Sequence, residues 1–87
     1  MESVIINFTE KEKNLIIENT LAPENLTLRL KNADIKGKYL RVSYEYDELD
    51  ELVGFIAAEF NHVTDESVKK GLDKLYEKLN EILETEY

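Results

Sequence analysis

The sequence predicts a small, helix-rich α+β domain, with a two- or three-stranded sheet packed on a C-terminal antiparallel helical hairpin. Three observations predict it. Leu40, Val42 and Tyr44 alternate with Tyr39, Arg41 and Ser43, the period-two pattern of a half-buried strand. Leu49, Leu52, Val53, Ile56, Phe60 and Val63 fall within about a third of a helical circle when each residue is advanced by about 100°. Val68, Leu72, Leu75, Tyr76, Leu79, Ile82 and Leu83 then repeat with helical spacing to the end of the chain.

Taken in order, Ser3 to Asn7 carries the β-branched run Val4-Ile5-Ile6, which suits a short buried strand. Thr9 offers an N-cap, and Glu12 three residues on completes a capping box. The helix it opens is expected to reach about Thr20 and to bury Leu15, Ile16 and Leu21. Pro23 stops it. From Glu24 to Ala33 two patterns compete. Leu26, Leu28 and Leu30 alternate as a strand would, yet Pro23 suits a helix start, and Leu26, Leu30 and Ala33 fall at helical spacing. The helix is the preferred reading. Asp34 to Lys38, with Gly37, reads as a turn, and Tyr39 to Glu45 as a strand. Asp47 is the expected N-cap of a helix ending near His62, and Thr64 or Asp65 caps the next. The two apolar stripes must be covered by the N-terminal elements or by a second copy, so a homodimer seam is the alternative to a simple core. No internal repeat, linker or low-complexity tract divides residues 1–87, and one domain is expected.

Leu, Ile, Val and Phe make up 27 of the 87 residues. That exceeds the roughly 20% below which chains tend to stay disordered. The longest apolar runs are three or four residues, far short of a membrane span. Glu2 stands where a secretory signal would carry basic residues, so the expected compartment is the cytoplasm. The two glycosylation-type triplets, Asn7-Phe8-Thr9 and Asn25-Leu26-Thr27, are accordingly read as chance.

Nineteen acids against eleven bases give a net charge of −8. Nucleic-acid binding is driven by cations that neutralise phosphates, so direct contact with nucleic acid is not expected, nor is an anionic membrane surface. The imbalance is uneven: residues 1–43 hold seven bases and six acids, residues 44–87 four bases and thirteen acids. Most catalytic arrangements fail on inventory. There is no cysteine and one histidine, Ser3, Ser43 and Ser67 lie outside any G-x-S-x-G elbow, and the three glycines are isolated. No catalytic residue, cofactor or metal is assigned, and the chain is not read as an enzyme.

Two local patterns remain. Glu59 and His62 have the E-x-x-H spacing that carboxylate-bridged di-iron bundles use, but such sites need two copies of it and two further glutamates. A metal-binding protein or metalloenzyme assembled across a dimer is therefore the alternative function. The simpler account has His62 answering carbonyls at the end of its helix. The second pattern is Glu45, Asp47, Glu48, Asp50 and Glu51. Leu49 falls where an EF-hand would place a ligand, so these acids are read as complementing a helix N-terminus. On the wheel, Glu48, Glu51, Phe55, Glu59 and His62 share a face about 100° from the core stripe. An acidic stripe with one aromatic at its centre fits a surface that binds a basic protein partner. The expected function is thus a small acidic interaction or regulatory protein. An inhibitor or nucleic-acid mimic filling a basic groove is a further alternative, which Lys69, Lys70, Lys74 and Lys78 disfavour by interrupting the acidic field.

Overall fold

The computed structural model describes residues 3–86 and is an α+β domain. Strand β1 (Ser3–Thr9) leads into helix α1 (Glu10–Asn19), then α2 (Glu24–Lys31), a short strand β2 (Asp34–Lys36), β3 (Tyr39–Glu45), α3 (Tyr46–Phe60) and α4 (Glu66–Glu86). The sheet is antiparallel in the order β1-β3-β2. Val4 faces Tyr44, Ile6 faces Val42 and Phe8 faces Leu40, so the apolar side chains of the two long strands meet as cross-strand pairs on one face. Ile6, Phe8, Val42 and Tyr44 join Ile16, Leu26, Leu30, Leu49, Leu52, Ile56, Leu72, Leu75 and Leu79 inside the protein, with Leu40 also buried and Val4 partly buried against them. Both stripes of the helical hairpin are buried within a single chain, and no second copy is needed to cover them.

Several expectations are corrected. The run Val4-Ile5-Ile6 is not buried throughout: Ile5 is 58% exposed, because the helices cover only one face of the sheet and alternate residues turn to the other. Residues 34–38 contain a strand as well as a turn. Lys36 pairs with Tyr39 across Gly37 and Lys38, and Gly37 alone has positive φ, at 62°. That is the requirement of a type II′ hairpin, which glycine meets without strain. Leu21 is 84% exposed, because α1 ends at Asn19 and the linker turns it away from the core. Residues 24–31 are helical, and Leu26 and Leu30 are buried one turn apart while Leu28 points outward.

The caps are partly as expected. Thr9 Oγ1 accepts from the Glu12 N–H at 3.1 Å and Glu12 Oε1 accepts from the Thr9 N–H at 2.8 Å, closing the capping box. Asp65 caps α4, its Oδ1 accepting from Ser67 N and Val68 N. The N-cap of α3 is Glu45 rather than Asp47. The strand runs straight into this helix, and Glu48 in its first turn accepts from the Glu45 N–H at 2.9 Å.

The two strand-to-helix junctions turn out to be built alike. At the first, Lys78 of α4 donates to Asn7 O at 2.6 Å and to Glu12 Oε1 at 2.9 Å, with its ammonium 5.3 Å from the Phe8 ring centre. At the second, Arg29 of α2 donates from Nη1 to Ser43 O at 3.3 Å, pairs with Glu48, and lies 5.5 Å from the Tyr44 ring centre. In each case the carbonyl lies two residues before the N-cap, the aromatic one before it, and the carboxylate three after it. A cation on a distant helix thereby occupies a strand-edge carbonyl that could otherwise template another chain.

Candidate functional site

Helix α3 carries Glu48, Glu51, Phe55 and Glu59 of the acidic face, His62 lies in the turn just beyond its end, and the structure separates them by role. Glu48 is already engaged. Its Oε1 accepts from Arg29 and from the Glu45 N–H. The hydrogen bond from Arg29, reinforced by that backbone N–H, holds the Glu48 carboxyl below its ordinary range, and the same bond raises the Arg29 guanidinium. Glu48 therefore acts chiefly within the fold.

Further along the same face, Glu51 and His62 are exposed, and Phe55 and Glu59 are half-buried. Phe55 is neither in the core cluster nor among the partly buried apolar side chains packed on it, whereas Phe60 is. Its neighbour Gly54 is exposed, and a Cβ added there would meet nothing within 4 Å. The acids, the aromatic ring and a stretch of open helix backbone therefore lie side by side on the outer surface of α3. The helix holds this register because Leu49, Leu52, Val53 and Ile56 are buried on the core face, about 100° away around the helix.

His62 does not cap α3 with its imidazole. Its backbone N–H and that of Val63 both donate to Glu59 O, at 2.9 Å each, so the main chain itself satisfies this carbonyl. Among the described residues, no group of three or more His, Asp or Glu side chains is gathered where it could hold a metal ion.

On the other flank of α3, a cleft of about 190 Å³ is lined by Ala57, Phe60, Asn61, Asp73 and Tyr76. Lys69 lies over the Phe60 ring at 5.1 Å beside it. Two of the four lysines that interrupt the acidic field, Lys69 and Lys78, are thus engaged internally, while Lys70 and Lys74 are exposed. Among the described residues, no helix is long and apolar enough to cross a membrane.

Sequence reading placed Tyr44 on the apolar face of its strand and Lys78 among the lysines that interrupt the acidic field, but gave neither a bonding partner and did not single out Arg29. Tyr44 is fully buried and its hydroxyl donates to Leu26 O at 2.7 Å, tying β3 to α2. Burial raises its phenol pKa, an effect the nearby Arg29 charge partly opposes. The Glu-x-x-Glu spacing at Glu45 and Glu48 was a legible signal for the second junction, but nothing in the chain names a cation nineteen residues away as its partner. No family model, curated protein or solved structure matches the chain.

Proposed function

We propose that this protein is a small acidic interaction protein that binds a basic protein partner through the outer face of α3. The observation that carries the reading is Phe55, a large aromatic left half-exposed outside the core, between Glu51 and Glu59 on one helix face. Aromatic anchors of this kind supply most of the energy at small interfaces, while surrounding charges set encounter rate and orientation. The thirteen acids of residues 44–87 give a partner with a basic surface a long-range attraction that salt weakens. In this reading the protein works in the cytoplasm, without catalysis or a cofactor.

The test places a photo-crosslinking amino acid at position 55 and, as a control, at exposed Lys70 on α4. The expected result is a discrete adduct with one protein from the source cells, formed from position 55 only. Raised salt and the Glu51→Lys substitution should both diminish it. Equal labelling from both positions, or an adduct indifferent to Glu51→Lys, would overturn the reading.

A further inference from the structure

The strongest positive feature of this acidic protein lies elsewhere. Residues 29–41 hold five bases (Arg29, Lys31, Lys36, Lys38 and Arg41) and one acid, Asp34. The other seventy-four residues hold six bases and eighteen acids. The folded chain bends this segment around a cleft of about 350 Å³. Leu28, Asn32 and Ala33 contribute from the end of α2, Asp34 from β2, and Arg41 and Ser43 from β3. The cleft lies where β2 ends: its pairing stops at Asp34 opposite Arg41, and beyond that point β3 has no strand on this edge, with β1 on its other edge. A smaller cleft on the open face of the sheet shares Asp34, Arg41 and Ser43, so the two form one furrow around the edge of β3.

The chain has two arginines, and both border this furrow. They differ in state. Arg29 is held by Glu48 and Ser43 O. The Arg41 side chain takes part in no hydrogen bond, ion pair or ring contact among the described residues, although Asp34 lies directly across the ladder from it. A strand to complete the sheet is a poor occupant, because Arg29 already takes Ser43 O and Glu48 takes the Glu45 N–H. The volume falls in the range of small-molecule sites, and an unpaired guanidinium is shaped to grip an oxyanion through two parallel hydrogen bonds.

We infer that the cleft between the end of α2 and β3 binds a small oxyanion ligand, a carboxylate or phosphate on a compact apolar body, with Arg41 as its anchor. Leu28 and Ala33 line the part of the cleft that takes the apolar body, and Ser43 and Asn32 supply further hydrogen bonds. Asp34 accepts from a hydroxyl or amine on the same ligand. This site is separate from the α3 face and stands or falls independently of it.

The test is amide NMR on the labelled protein, titrated at constant ionic strength with inorganic phosphate and, separately, with isovalerate. The expected result is a saturable shift of the amides of residues 32–34 and 41–43 with at least one probe. Arg41→Gln should weaken that binding by about tenfold or more, equivalent to roughly 1.4 kcal/mol. Lys70→Gln, which removes a distant exposed charge, should leave it within about twofold. Saturation with phosphate alone identifies a phosphorylated ligand, and with isovalerate alone a carboxylate. The inference is overturned if neither probe saturates at tens of millimolar, or if Arg41→Gln leaves the shifts unchanged. Both substituted side chains are exposed, so the fold survives both substitutions.

Discussion

Arg29 and Lys78 stand at equivalent places on opposite edges of the sheet. Each donates to a strand carbonyl, pairs with the glutamate in the first turn of the following helix, and lies over the aromatic residue at the end of the strand. Each comes from a helix remote in sequence, α2 for one and α4 for the other. The two long strands are fully paired antiparallel, Ser3 opposite Glu45 and Thr9 opposite Tyr39, so the junctions lie at opposite ends of the ladder. One cation therefore ties down a sheet edge, starts a helix and joins two layers, and the fold does this twice.

Replacing Glu12 or Glu48 with alanine is expected to cost about 1 kcal/mol each, the usual effect of losing a helix cap. The double variant should lose the sum within about 0.5 kcal/mol, since the sites are far apart and share no partner. Urea denaturation of the four proteins checks this. The Glu48 contribution also carries a pH signature. Its folded pKa lies below the ordinary value of 4.5, so its stabilisation is present above that value and fades as pH falls through the folded pKa. The gap between wild type and Glu48→Ala should narrow between neutral pH and the acid range below it.

Tyr44→Phe removes the donor to Leu26 O in the buried core and should cost about 1–3 kcal/mol, read as a lowered denaturation midpoint at unchanged helicity. The phenol pKa is raised on folding, so the wild type should lose stability as pH climbs above 10, where the unfolded chain begins to ionise. Tyr44→Phe should show a shallower alkaline loss.

Phe55 and Ile56 are adjacent and should respond very unequally to truncation. Ile56 is fully buried, and Ile56→Ala should cost about 2–5 kcal/mol. Phe55 stands outside the core, and Phe55→Ala should cost less than about 1 kcal/mol. Thermal denaturation of the two variants decides it, and a large loss at Phe55 would make that ring a structural residue.

The two glycines within helices should also diverge. Gly54→Ala meets open space and gains helix propensity, a stabilisation of about 0.5–1 kcal/mol. At Gly71 a Cβ would come within 2.7 Å of Leu15 Cδ1, where α4 crosses α1. The Leu15 side chain must shift to admit it, which offsets the propensity gain, so Gly71→Ala should be no more stable than wild type. Side-by-side chemical denaturation measures both.

What the sequence determined alone is local. The alternation over residues 39–45, the Thr9–Glu12 capping box, a cap at Thr64 or Asp65 and the two apolar stripes of α3 and α4 each depend on residues within a few positions of one another. Periodicity places Phe55, Glu51 and Glu59 off the core stripe of α3, whereas over residues 24–33 it fits strand and helix alike, and the helix is only the preferred reading. The tertiary structure decided what depends on distant partners. Ile5 faces outward because the helices cover a single side of the sheet. Glu48 and Glu12 are drawn into ion pairs by cations brought from α2 and α4, and the Arg41 side chain is left beside the cleft that forms where the end of α2 meets β3. Hydrogen bonds and packing between elements far apart in sequence set these outcomes, and no pattern of nearest neighbours encodes them.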